Sequence, residues 1–282
     1  MRVLVTGGAG HVGSAVVRRL LDAGHEVTTI LRPDASAIAG ARVVRGDVRD
    51  AAVVGEALDG VGAVAHLAAI PHPAGQPAPA VFANNVESTF TLLWCAAEAG
   101  VRRFAVAGSV NATGLIMNPR HPHPGRYPID EDTLPDIADP YSLSKQVDEL
   151  TARAVSSRFG VSVVVLRLPL VVERENAGRL WEYQSGRVGE CAGDGWGWID
   201  ARDAAEAFRR ALTADIDGVH VVHVAAPTVF SDTPTEELLD RHAADVPRAR
   251  TFPGRSAPID TGRAERLLGF VPRYDEPGLE DR

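Results

Sequence analysis

Tyr141 and Lys145 stand four residues apart in the run Tyr141-Ser142-Leu143-Ser144-Lys145. At helical spacing such side chains share a face, which sets an ammonium one turn from a phenol. A cation there favours the phenolate and suits the phenol to taking up or releasing a proton. Alone, the spacing equally fits the solvent face of an amphipathic helix. Two other stretches add to it. Ser109 closes the apolar run Phe104-Ala105-Val106-Ala107-Gly108 and offers a hydroxyl that can polarise a substrate oxygen. Near the start, Thr6-Gly7-Gly8-Ala9-Gly10-His11-Val12-Gly13 lies between the β-prone Val3-Leu4-Val5 and the helically spaced Ser14–Leu21. Gly7 allows a tight reversal, Gly10 lets a pyrophosphate approach the backbone, and Gly13 lets the helix pack on the strand. The helix N-terminus offers unpaired N–H groups to phosphate. The pattern points to a dinucleotide beside a proton-transfer pair.

These groups need elements to hold them. Asp139-Pro140 reads as an N-cap followed by proline at the first helical position, opening a helix through Tyr141 and Lys145 to Phe159. Strands are expected over Glu26–Leu31, Val43–Arg45, Ala63–His66, Arg103–Ala107 and Val161–Arg167, with a later one over 218–226. Helices are expected over 80–99, Arg179–Gln184, Asp203–Leu212, Thr235–His242 and Asp260–Leu268, before a polar tail beyond Pro272. Strand–helix alternation makes an open parallel sheet. The fold class expected is α/β, a doubly wound parallel Rossmann sheet with a small C-terminal substrate-binding lobe. The division expected gives residues 1–168 to the dinucleotide, with 198–226 returning to that core, and 169–197 with 227–282 to the lobe. Residues 115–139 form a long Pro-rich loop, and loops of that length in a compact domain are usually functional or mobile.

The end of the second strand carries Leu31-Arg32-Pro33, with a guanidinium where a ribose-binding carboxylate would otherwise stand. That suits a 2′-phosphate, so NADP is the expected cofactor, with NAD as the alternative. Asp47 can accept a hydrogen bond from adenine or cap the helix that begins near Asp50. His121-Pro122-His123 lacks a third ligand nearby, so no metal is expected. Trp181, Trp196 and Trp198 either stack on a sugar face or fill a core.

The chain has 282 residues, a net charge of −8 and no basic run, which argues against a nucleic-acid partner. Its two cysteines, Cys95 and Cys191, imply no disulfide framework. No signal-like or spanning apolar segment is legible, so no membrane partner and a cytoplasmic location are expected.

Taken together, these motifs resemble the extended short-chain dehydrogenases/reductases, the group of NAD(P)-dependent sugar epimerases, dehydratases and related reductases. The resemblance covers nearly the whole chain. It includes Gly46-Asp47-Val48, His66-Leu67-Ala68-Ala69, Asn85-Val86-Glu87-Ser88-Thr89 with Ser88 in place of the usual glycine, Arg167-Leu168-Pro169, and Trp198–Ala205. It implies Ser109, Tyr141 and Lys145 as the catalytic residues. For the cofactor it implies Gly7, Gly10, His11, Val12, Gly13, Arg32, Asp47, Val48, Leu67, Ala68, Ala69, Asn85, Leu168 and Pro169, with Tyr141 and Lys145. For the substrate it implies Ser109, Asn111, Ala112, Tyr141 and Arg179. Val110-Asn111 replaces the Asp-Glu pair of the dehydratase branch, which sets dehydration aside, and Asn111 is similar to uronate-dehydrogenase-like members. A net oxidoreductase acting on a small, sugar-derived molecule is the leading expectation. A redox-neutral epimerase with retained cofactor is the second, and a non-catalytic dinucleotide sensor the third. The resemblance also implies pairing into a homodimer.

Overall fold

Alternation along the strands decides which layer each side chain joins, because successive residues point to opposite faces of a sheet. In the computed structural model, which describes residues 1–72 and 75–277, the chain begins with β1 (Arg2–Thr6), α1 (His11–Asp22), β2 (Glu26–Leu31), β3 (Ala41–Arg45), α2 (Ala51–Ala57) and β4 (Ala63–His66). The last residues of the polar tail, 278–282, lie outside that description. Next come α3 (Ala78–Glu98), β5 (Arg103–Ser109), α4 (Pro140–Phe159) and β6 (Ser162–Leu168). The remainder holds β7 (Leu170–Val172), α5 (Ala177–Ser185), β8 (Trp198–Asp200), α6 (Ala201–Thr213), β9 (Val219–His223), α7 (Thr235–His242) and α8 (Gly262–Leu268).

Seven parallel strands form the main sheet in the order β3-β2-β1-β4-β5-β6-β9. Val3, Val5, Ala65 and Val164 face a layer built on Val16 and Leu20 of α1, Phe208 of α6 and Leu268 of α8. Leu4, Val64, Phe104 and Val163 face the opposite layer, with Val54 of α2, Leu92 of α3 and Val155 of α4. Helices thus cover both faces, the arrangement an apolar parallel sheet requires. The strand order reverses between β1 and β4, so a crevice opens at the carboxyl ends of these strands. This is the doubly wound parallel fold.

A second lobe is built from the two-stranded β7–β8 sheet and the later segments. Tyr127, Trp196, Leu238, Leu239 and Phe252 share one apolar cluster. Trp181, Trp198 and Phe230 share another, with Phe230 packed edge-on against Trp181. All three tryptophans are buried, and Trp196 and Trp198 are among the largest fully buried side chains. Of the two roles open to them, packing is the one they fill.

The 115–139 segment has irregular backbone, but its second half is tied down. Tyr127 exchanges backbone hydrogen bonds with Pro247 and Ala249, and Ile129 with Pro258 and Asp260. The run expected as a strand over 218–226 pairs only over Val219–His223, because its partner β6 ends at Leu168 before Pro169. β9 is the last strand of the sheet, and its outer side is occupied. Glu131 Oε1 accepts from the His223 N–H at 2.8 Å, and the Arg263 guanidinium donates to the Val221 carbonyl at 3.5 Å. Among the described residues no helix is long and apolar enough to cross a membrane.

Candidate active site

The glycine turn is built for close approach. Gly7 has φ +70°, and a Cβ there would sit 2.7 Å from the Leu67 carbonyl carbon. A Cβ on Gly13 would sit 2.0 Å from the Gly7 oxygen, so a side chain at Gly7 would collide with the chain after β4 and one at Gly13 would push α1 off the turn. Gly10 caps α1 in extended backbone with no side-chain hydrogen bond, leaving first-turn N–H groups open to an anion. In front of this turn lies a cavity of about 840 Å³.

Most of the residues singled out in the sequence line that cavity: Gly7, Gly10, His11, Val12 and Gly13 from the turn, then Leu67, Ala68 and Ala69 after β4, and Leu168 and Pro169 after β6. Arg32, Asp47 and Val48 line its other end. The Arg32 side chain is largely exposed and 3.9 Å from Asp34, while Arg45 holds the Arg32 and Ala35 carbonyls in place. Of the two roles open to Asp47, capping is excluded, since Asp50 caps α2 by accepting from the Ala52 N–H at 2.8 Å. Hydrogen bonds from the Arg49 side chain hold the Asp47 carboxyl below its usual range.

Ser109, Tyr141 and Lys145 open onto the same cavity from β5 and α4. The Asp139 side chain accepts from the Ser142 N–H at 2.8 Å, so the predicted cap sets the first turn of α4 and with it Tyr141. Ser109 Oγ accepts from the Asn111 backbone N–H at 3.1 Å and from Asn111 Nδ2 at 3.3 Å. With its two acceptor positions taken, the hydroxyl has its proton left to donate. The Lys145 ammonium is 5.8 Å from the centre of the Tyr141 ring and donates to the Ala107 carbonyl and Asp148 Oδ2, both at 3.0 Å. One of its three donors remains for the cavity. Lys145 is the only lysine of the chain, against 28 arginines, a signal the spacing argument overlooked.

Three predicted site residues stand elsewhere. Asn85 is buried outside the cavity wall, where its amide bonds the Ile70 N–H and carbonyl and the Ser144 hydroxyl. It ties the segment after β4 to α3 and α4, while its neighbours Asn84 and Ser88 line the cavity. Ala112 is buried behind the wall, and its carbonyl accepts from the Gln146 amide at 2.6 Å. Arg179 is exposed on α5 and does not line the cavity. The arginine of that region which does is Arg187, bonded to Tyr183 and Glu190.

The far end of the cavity is formed by Ile116, Met117 and His121 of the 115–139 loop, the segment expected to be functional, together with Tyr183, Gln184, Arg187, Glu190, Cys191 and Asp194, which sequence reasoning missed. They come from irregular or amphipathic segments with no motif, so only the fold brings them together. Burial pushes the Asp194 carboxyl up to about 7. His66, singled out as a packed histidine, is buried between two hydroxyls, with Thr6 Oγ1 2.7 Å from Nδ1 and Thr89 Oγ1 3.0 Å from Nε2. Burial, and then the Lys145 charge, push its imidazole down to about 3, so the ring is neutral. No group of three or more His, Cys, Asp or Glu side chains among the described residues is placed to hold a metal ion.

The profile of the NAD dependent epimerase/dehydratase family matches residues 3–225. An NAD-dependent glucose-6-phosphate dehydrogenase of Haloferax volcanii is 29% identical over 230 residues, covering 76% of this chain and 81% of that protein. A UDP-glucose 4-epimerase of Azospirillum brasilense is 32% identical over 189 residues, 63% of this chain and 51% of that protein. The chain therefore spans about half the length of that epimerase. Among solved structures, a short-chain dehydrogenase/reductase superfamily protein from Agrobacterium tumefaciens with bound NAD superposes with a TM-score of 0.73 at 25% identity. That match covers 97% of this chain and 93% of the other.

Proposed function

The chain belongs to the NAD-dependent epimerase/dehydratase family of extended short-chain dehydrogenases/reductases, and on that basis we propose that it is a net NAD(P)-dependent oxidoreductase acting on a secondary hydroxyl or carbonyl of a small, sugar-derived substrate. The observation that carries the reading is the meeting of Ser109, Tyr141 and Lys145 on one cavity with the glycine turn. The cradle at Gly7 and Gly13, which a Cβ would fill, and the uncapped start of α1 fit a dinucleotide. When bound, the nicotinamide supplies the hydride acceptor or donor. Ser109, its lone pairs taken by Asn111, donates a hydrogen bond to the substrate oxygen and orients it. Tyr141 takes the hydroxyl proton in oxidation and returns it in reduction. Lys145 stabilises the phenolate and turns its remaining donor to the cavity.

Residues 1–168, with 198–226, hold the dinucleotide in this reading, and 169–197 with 227–282 hold the substrate. Similarity to a glucose-6-phosphate dehydrogenase over most of its length supports a small sugar substrate. NADP is preferred over NAD on account of Arg32. The similarity to a UDP-glucose 4-epimerase favours a second reading, a redox-neutral epimerase with retained cofactor. An intact proton-transfer pair speaks against a non-catalytic sensor.

Turnover against free sugars, sugar acids, sugar phosphates and nucleotide sugars, with either cofactor, tests the proposal. Tyr141→Phe is expected to lower kcat by about 10²-fold or more while the protein stays folded, the usual contribution of a positioned acid–base group. Turnover that survives the change rejects the mechanism. A nucleotide released on denaturation at close to one per chain selects the epimerase.

A further inference from the structure

Lysine and arginine are not interchangeable at a buried site. A guanidinium is a wide planar fork, whereas an ammonium is a compact charge that loses its proton readily when buried. In a chain that meets every other need for a basic side chain with arginine, the one lysine stands at 145, and its side chain is only 5% exposed. Such a charge needs a partner to remain charged.

The partner is on the next turn of α4. Asp148 Oδ2 accepts from the Lys145 ammonium at 3.0 Å, and the Asp148 side chain is 1% exposed. The groups around the pair come from each element packed on it. Tyr141 and Glu149 flank it on α4, the Ala107 carbonyl on β5 accepts from the ammonium, Thr89 on α3 stands beside Asp148, and His66 on β4 stands behind Thr89. Burial pushes the Asp148 carboxyl up, against the pull of the Lys145 charge and the Thr89 hydroxyl. Burial likewise works against the Lys145 charge, but Asp148 and Tyr141 outweigh it and the net shift is upward. The neutral imidazole of His66 sets the Thr89 hydroxyl without adding a charge.

We infer that Asp148 is a positioning residue that fixes the Lys145 ammonium, charged and aimed into the cavity, before nucleotide or substrate is bound. The side chain acts through Lys145 and does not line the cavity itself. This deepens the reading of Lys145 as the partner of Tyr141 and rests on it for its meaning. The placement itself can be measured without turnover.

A single lysine gives a single Nζ signal in protein labelled with ¹⁵N-lysine, so its protonation can be followed by NMR with neither nucleotide nor substrate present. The wild-type signal is expected to remain that of an ammonium beyond the midpoint of free lysine, ~10.4. In Asp148→Asn the midpoint is expected to fall by about one pH unit or more, a tenfold loss of proton affinity. Asp148→Glu is expected to restore most of it. An Asp148→Asn midpoint within about 0.3 of the wild type, well under the shift a lost buried counter-charge produces, overturns the proposal. If Asp148→Asn does not fold, the wild type decides alone: a Lys145 midpoint below that of free lysine overturns it, and one above supports it. A high midpoint with Tyr141→Phe still active would sink the mechanism and leave the Asp148 placement standing. A low midpoint with Tyr141→Phe inactive would do the reverse.

Discussion

At the scale of single residues, the least anchored member of the site is Arg32, whose side chain is 83% exposed at the end of β2. Its neighbour Asp34 competes for the guanidinium, so the NADP preference proposed above depends on a contact formed only when a 2′-phosphate is present. Arg32→Ala is expected to weaken NADPH binding by about tenfold or more, the effect of losing one charge-assisted hydrogen bond, and to leave NADH nearly unchanged. Fluorescence titration of both nucleotides checks this, and equal losses for the two would reduce Arg32 to a loop residue. The contrast between Arg32 and Asn85 shows which residues a sequence discloses. Tyr141, Lys145 and Ser109 were legible because helical spacing and a strand end fix their direction locally. Asn85 lies on the inner face of α3 and bonds the chain after β4, a contact set by tertiary packing that its motif does not report. Arg179 and Arg187 differ only in which turn of an amphipathic region meets the cavity, and the sequence between them carries no phase marker.

At the scale of elements, α4 carries more than the face that lines the cavity. Glu149 forms a bidentate ion pair with Arg167 of β6, at 2.8 and 3.2 Å, with both side chains at most 5% exposed. Arg167 also donates to the Glu131 carbonyl, so one guanidinium joins helix, sheet and the 115–139 segment. Glu149→Ala strands a buried cation and is expected to cost about 3–5 kcal/mol in urea unfolding. Replacing both partners, Glu149→Leu with Arg167→Met, is expected to recover most of that loss, because it also removes the desolvation cost. A loss below about 1 kcal/mol in the single variant would mean that the pair is solvated like a surface bridge. Helices and central strands were legible because one periodicity runs through each. The end of β9 was not, since Val224–Ala226 is as apolar as the strand itself and the pairing stops where its partner β6 ends at Leu168. Nor was the anchoring of 115–139, whose partners lie more than a hundred residues further along the chain.

At the scale of the whole molecule, α3 and α4 leave apolar side chains open on the surface. Leu143 and Leu150 lie two turns apart on α4, and Phe90 stacks on Trp94 of the adjoining α3. All three of Phe90, Leu143 and Leu150 are at least 44% exposed. Exposed apolar side chains on two adjoining helices suit an interaction site, and pairing of two copies through α3 and α4 is the use proposed for them. Sedimentation velocity is expected to show twice the chain mass of 29.9 kDa for the wild type and the single-chain mass for Phe90→Asp with Leu150→Asp. A monomeric wild type would reject the pairing.

The margins of the sheet limit what such association can become. An unpaired strand edge invites another strand to add to it, and this is how folded proteins enter open-ended fibres. On the β9 side that invitation is withdrawn, because Glu131 already holds the His223 N–H and Arg263 reaches the Val221 carbonyl. On the β3 side, Arg42 and Arg45 carry charge along a strand of five residues. With one margin stoppered and the other short and cationic, strand addition is disfavoured at both, which fits the closed helix-against-helix pairing proposed for α3 and α4.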